Sequence, residues 1–272
     1  MITGIDRIQL TAVDRPGSVA AWQRLFGAEL VREDRVPSLG ALRSVLRAGS
    51  SEVELLEPHG LGSVAQAASH SRSALFAAGL AVSDLDAARA ELEAKAIHHV
   101  IDEKQIRVNG DWLGVPGLRV VLSQAEERAP AGLLGHLYEV THLMEGFARA
   151  AARLAFVFDL DRANFRPIHS EPYGYRGVLA LLRPDRLDRI ETVTPSSRTK
   201  TMGRFFHRQG PCLYMAYAEA RDTAALRERL LERAPRDWTG ARDGGAPDNL
   251  FVHPKALGGL LLGVSRESFA WS

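Results

Sequence analysis

Polar and apolar residues alternate along Asp6-Arg7-Ile8-Gln9-Leu10-Thr11-Ala12-Val13, the two-residue period of a half-buried strand. Asp14-Arg15-Pro16-Gly17-Ser18 interrupts that alternation and can open a helix, with proline in its first turn. Val19, Trp22, Leu25 and Phe26 then recur at helical spacing, and Gly27 ends the run. Strands are predicted over 41–46 and 52–56. The same order returns three times. A strand over 77–82 is followed by a helix capped by Ser83-Asp84 and running through Leu92, then by strands near 97–101, 105–108 and 118–122. A strand over 137–143 precedes a helix at about 147–158 and strands near 178–182 and 189–193. The last segment has a strand over 213–219, a helix over 223–233 and strands at 250–253 and 260–264.

The halves also match residue by residue. Glu52-Val53-Glu54-Leu55-Leu56-Glu57-Pro58 aligns with Arg189-Ile190-Glu191-Thr192-Val193-Thr194-Pro195. Leu75-Phe76-Ala77-Ala78 aligns with Leu213-Tyr214-Met215-Ala216, and the helix entry at Asp84 aligns with that at Asp222. Between them, QAEERAPAGLLG has no periodicity and reads as a linker. The expected organisation is an α+β chain with domains over 1–124 and 137–272, joined by a linker over 125–136, each half a tandem pair.

Composition narrows the function classes. Hydrophobic residues make up 46% and charged residues 25%, as in a globular chain, and a net charge of +1 gives no reason to expect nucleic acid. No apolar run approaches the roughly 20 residues that span a bilayer. The opening MITGIDRIQL has no basic segment before an apolar core, so a cytoplasmic location is expected. The single cysteine, Cys212, fits a reducing compartment and rules out a Cys-rich zinc site. There is no Gly-x-Ser-x-Gly elbow, phosphate loop or dinucleotide fingerprint.

Several segments resemble the vicinal-oxygen-chelate superfamily, the glyoxalase, bleomycin-resistance and extradiol-dioxygenase group. Ile5-Asp6-Arg7-Ile8, Val13-Asp14 and a helix ending Phe26-Gly27 are similar to the opening of its βαβββ module. Val53-Glu54-Leu55-Leu56-Glu57-Pro58 resembles its fourth strand, and Leu80-Ala81-Val82-Ser83-Asp84 the entry to a second module. Phe251-Val252-His253-Pro254-Lys255 before Gly258-Gly259 resembles the last hairpin of the branch containing methylmalonyl-CoA epimerase. The resemblance implies four βαβββ modules in two cup-shaped, mixed-sheet domains, each cup holding a small molecule and, in many relatives, a divalent metal. It places the ligand positions at Arg7, Glu54, Ala77 and Val121 in the first half and at Glu139, Glu191, Met215 and Gly263 in the second. Aliphatic side chains cannot donate to a metal and Arg7 repels one. No cofactor is therefore expected, with a weakly bound divalent ion at Glu139 and Glu191 as the residual option. Strand length favours Glu139 inside the cup and His142 on the opposite face.

The candidate catalytic set is Glu191 as base, Glu139 as its partner and Tyr217 as donor to a developing oxyanion, because close carboxylates raise one pKa. Arg7, Gln9 and Glu54 are candidate binding residues of the first cup, or a buried structural ion pair. His169, Tyr173 and Tyr175, in a Gly/Pro-rich stretch read as a loop, and Glu219 are candidate contacts at the second. The adjacent His98-His99, read as lying on a strand, cannot chelate one ion together. Three readings stay open: a metal-independent isomerase or lyase, a non-catalytic binding or drug-sequestering protein, and a metal-dependent isomerase or dioxygenase using His142. The expected partner is a small molecule, with no nucleic acid or membrane, in a monomer or homodimer.

Overall fold

The computed structural model describes residues 2–70, 74–102, 104–220, 222–240 and 249–266. In chain order the first half runs β1 (Ile2–Thr11), α1 (Arg15–Phe26), β2 (Glu29–Val36), β3 (Ala41–Ala48), β4 (Ser51–Pro58), α2 (Ser63–His70), β5 (Leu75–Val82), α3 (Leu85–Ala94), β6 (Val100–Asp102), β7 (Gln105–Asn109), α4 (Gly110–Leu113) and β8 (Arg119–Gln124). The second runs β9 (His136–Leu143), α5 (Phe147–Phe158), β10 (Arg166–Ser170), β11 (Tyr175–Leu181), β12 (Arg189–Pro195), α6 (Thr201–Gln209), β13 (Cys212–Glu219), α7 (Thr223–Arg233), β14 (Trp238–Gly240), β15 (Asn249–Val252) and β16 (Leu261–Ser265).

Each half is one eight-stranded mixed sheet, ordered β2-β3-β4-β1-β5-β8-β7-β6 and β10-β11-β12-β9-β13-β16-β15-β14. Strand β1 lies parallel to β4 and antiparallel to β5, and β9 repeats this with β12 and β13. The fold is thus α+β, with a strand, a main helix and three more strands repeated four times. The first sheet curls: residues of β2 and of β6 and β7, near its two ends, line one cavity, and Ser38 after β2 hydrogen-bonds Asp102 on β6.

The helix entries follow the local chemistry of the chain. Asp14, Asp84 and Asp222 each accept a backbone N–H three residues on, capping α1, α3 and α7. Gly27 closes α1 in the left-handed conformation, at φ 69°. Convex-face residues of both sheets, among them Ile8, Leu10, Val140 and Leu262, join Trp22, Phe26, Leu154 and Leu230 of the helices in one apolar core. Residues 125–135 do not float between the halves, since Ala131 bridges Gly49 in antiparallel fashion.

Several elements differ from the sequence reading, and β14 and α4 have no counterpart in it. Strand β2 was not legible because it is an edge strand, exposed over most of its length and charged, so no apolar alternation marks it. The stretch read as a loop around His169 is largely the β10–β11 hairpin. Helix α2 has weak local signals and is fixed instead by burying Val64 and Ala67 against Leu56, Phe76 and Ala77. His98 and His99 precede β6 rather than lying on it; His98 stacks edge-on against Trp112 at 4.0 Å.

Candidate functional site

Alternation along β1 turns Arg7, Gln9 and Thr11 to the concave face, level with Glu52, Glu54 and Leu56 on β4. A bulge against β5 between Ile5 and Arg7 brings Asp6 to the side of Arg7, which it meets at 2.9 Å. Glu54 forms the floor, its side chain wholly buried. It accepts hydrogen bonds from Arg7 at 2.8 Å, Gln9 at 2.8 Å, Gln105 at 2.7 Å and Arg43 at 3.2 Å. Burial alone raises a carboxyl pKa, but Arg7 and Arg43 outweigh it and hold Glu54 down to about 2. Gly79 makes room for this network, because a Cβ there would sit 1.9 Å from Cγ of Arg7. Arg7, Gln9 and Glu54 therefore do come together, and they are engaged with one another.

The second sheet repeats the arrangement with its charges exchanged. A bulge between Tyr217 and Ala218 lies opposite Tyr138, so Tyr138 and Glu139 both reach the concave side. Glu139 is level with Arg189 on β12 and meets it at 2.6 Å, where Arg7 meets Glu52 at 2.8 Å in the first half. One row further on, Thr141 donates to Glu191 at 2.5 Å, where Gln9 donates to Glu54 at 2.8 Å. Glu54 and Glu191 occupy equivalent positions in opposite fields. Two arginines, Arg7 and Arg43, reach Glu54 although each also pairs with other carboxylates, whereas Glu191 and Glu139 share Arg189. Burial, and then the charge of Glu139, push the Glu191 pKa well above the usual carboxylate range, against hydrogen bonds from Thr141 and Tyr175. Burial also pushes Glu139 up, and Arg189 opposes that.

Tyr217 lies beside this pair. Its ring covers Gly263, where a Cβ would fall 2.2 Å from a ring carbon, and sits between Tyr138 and Phe251 at centroid distances of 5.9 and 6.0 Å. Its hydroxyl makes no hydrogen bond to a described residue, and burial, Glu139 and Glu191 push its pKa up. Half-buried Tyr175 completes the group from β11. Glu219 lies further along β13, level with His136 and Ser265. Tyr173 is 54% exposed in the β10–β11 turn, where its carbonyl accepts from Met202 of α6. His169 is exposed and level with Arg176, on the face opposite Gly177 and Glu191, so the sheet does not bring it into the cup.

Sequence reasoning missed Arg43, Gln105, Arg107 and Arg189. Arg189 had a readable signal: the repeat alignment sets it against Glu52 while Glu139 falls where Arg7 does, a compensating reversal. His142 turns away from the cup. It is fully buried and donates from Nε2 to the carbonyl of Pro116 in the first half at 2.9 Å, and burial pushes its pKa down to about 4.

The strand rows that would hold a metal in this architecture do not fit one. The second cup offers Arg189, Glu139, Tyr217 and Gly263 in one row and Glu191, Thr141, Met215 and Leu261 in the next. The first offers Arg7, Gly79 and Val121. Two carboxyls, one bound to arginine and one hydrogen-bonded to Thr141, with a phenol, a glycine and aliphatic side chains, are a poor donor set for a divalent ion. Among the described residues no three His, Cys, Asp or Glu are grouped to hold one.

No protein-family model and no curated protein matches the sequence. Solved structures do match. A mutant of 4-hydroxymandelate synthase from Streptomyces coelicolor superposes with a TM-score of 0.73 at 13% identity, covering 100% of this chain and 95% of that one. A xylose isomerase-like TIM barrel/4-hydroxyphenylpyruvate dioxygenase fusion protein gives 0.63 at 12% identity, over 100% of this chain and 50% of that one. Methylmalonyl-CoA epimerase from Mycobacterium tuberculosis matches 49% of this chain and 88% of its own at 21% identity, with a TM-score of 0.38. The chain has the two-domain vicinal-oxygen-chelate fold. Among the described residues no helix is long and apolar enough to cross a membrane.

Proposed function

We propose that this protein is an isomerase or lyase that moves a proton on a small oxygenated organic molecule in the second cup, without a resident metal. The observation that carries the reading is the opposite tuning of two equivalent carboxyls. Glu54 is held ionised by arginines, while Glu191 is held toward its protonated form beside an unpartnered phenol. A carboxyl raised toward neutrality is a stronger base when ionised and a ready acid when protonated. Ionised Glu191 takes a proton from a carbon next to a substrate carbonyl, and the electron pair moves to the carbonyl oxygen. The Tyr217 hydroxyl donates a hydrogen bond to that oxygen. The proton then returns at a neighbouring carbon, or a leaving group departs with the electron pair. Burial, and then the charge of Glu139 paired with Arg189, keep the Glu191 pKa high. The fold neighbours described as a synthase and a dioxygenase support a small-molecule enzyme as the class.

Infrared difference spectra test the carboxyl directly: a protonated-carboxyl band at neutral pH that disappears in Glu191→Gln is expected. Its absence would refute the reading. Deuterium wash-in next to the carbonyl of small 2-oxo acids and hydroxyketones in D2O then reads the chemistry, with Glu191→Gln slowing exchange by about 100-fold or more. A non-catalytic binding protein is the second reading, drawn from cavities of about 410 and 270 Å³ in the first cup. Elemental analysis separates out metal-dependent isomerase or dioxygenase chemistry: near one equivalent of a transition metal in the purified protein would overturn the metal-free assignment.

A further inference from the structure

The first sheet carries a cavity of about 270 Å³ separate from the Glu191 cup, with Leu39, Phe76, Val121, Trp112, Arg107 and Arg119 in its wall. The two arginines differ. Arg107 is held by Asp102 at 3.2 Å, by Gln9 at 3.2 Å and by Gln105 at 3.0 Å. Arg119, at the start of β8, makes no hydrogen bond or ion pair with a described residue; its guanidinium stacks on the Phe76 ring at 4.8 Å. Burial works against its charge, and Asp111 offsets this only from beyond contact distance. Guanidinium stays charged in proteins, and a half-buried one without a carboxylate is unusual. The cavity mouth is apolar: Trp112 is 45% and Val100 38% exposed, so large hydrophobic surface faces solvent beside an unanswered cation.

A mostly apolar slot with a few polar groups is the usual form of a small-ligand site, and the volume of about 270 Å³ lies just below the roughly 300–1,000 Å³ typical of such sites, which suits a small ligand. We propose that this cavity binds a small aromatic carboxylate, its carboxylate on the Arg119 guanidinium and its ring against Trp112, Leu39 and Val121. The planar fork of arginine matches a carboxylate in two parallel hydrogen bonds. The apolar wall disfavours a bare, strongly hydrated anion such as phosphate.

Titration calorimetry with benzoate is the test, with benzamide as the uncharged analogue and inorganic phosphate as the anion without a ring. Saturable binding of benzoate at one site per chain is expected. Benzamide should bind at least about tenfold more weakly, as should benzoate to Arg119→Leu, since a charge-assisted contact is lost in each case. Phosphate should not compete. Trp112→Ala, at the exposed rim, should melt as the wild type does and bind benzoate several-fold more weakly. Glu191→Gln, in the other sheet, should bind benzoate unchanged; loss of binding there would place the site in the second cup and overturn this assignment without touching the proton-transfer reading. Equal binding of benzamide, competition by phosphate, unchanged affinity in a folded Arg119→Leu, or no saturable binding in the millimolar range would also overturn it.

Discussion

Replacing Glu54 by Gln keeps the shape of the side chain and removes one negative charge from beneath Arg7 and Arg43. The carboxyl falls from an ordinary pKa of 4.5 to about 2 on folding, a shift worth about 3 kcal/mol at neutral pH at roughly 1.4 kcal/mol per unit. Breaking a buried ion pair from one side costs about 3–5 kcal/mol by mutational precedent, which agrees. Because the folded pKa is depressed, this stabilisation is complete above the unfolded value and is lost as pH falls toward about 2. About 1.4 kcal/mol of it should remain at pH 3 by the same linkage. Urea unfolding of the wild type and Glu54→Gln at pH 7 and pH 3 reads both quantities. The variant should be weaker by about 3 kcal/mol at pH 7, with the gap narrowing by more than half at pH 3. A gap below about 1 kcal/mol at pH 7, or one that ignores pH, would show that the network does not hold Glu54 ionised in this way.

Glu191 should behave with the opposite sign. Its folded pKa is raised, so the favourable contribution of its protonated form is present below pH 4.5 and is lost as pH rises through the folded value. Thermal melts of Glu191→Gln should therefore gain on the wild type between pH 5 and pH 9, and parallel curves would count against the raised pKa. Arg189→Met strands Glu139 and should cost about 3–5 kcal/mol, much of it recovered when Glu139→Gln is added; a double variant as weak as the single one would refute the pairing. His142 is held neutral, so its contribution is present above pH 6.5 and is lost as pH falls toward about 4. Melting of the wild type should drop over that window more than melting of His142→Asn, and equal drops would remove His142 as the cause.

The local code of the chain was sufficient for the modules. Aspartate caps at positions 14, 84 and 222 and the strand alternation depend on neighbours a few residues away, and they predicted the fold class and the repeat. Alternation also put Arg7, Gln9 and Glu54 on one face and Glu139 opposite His142. It could not place the bulges that turn Asp6 and Tyr138 inward, because a bulge depends on the pairing strand. The apolar pattern likewise passed over β2 and α2, whose positions are fixed by what they pack or pair against. The chemistry of the carboxyls was decided last. Two glutamates in matching sequence positions have pKa values shifted in opposite directions because Arg7 and Arg43, 47 and 11 residues from Glu54, reach its carboxylate, while Glu191 is buried and left to share one arginine with Glu139. Charge interactions act through space over a few ångströms, so only the folded arrangement determined which glutamate is held ionised and which is held toward its protonated form.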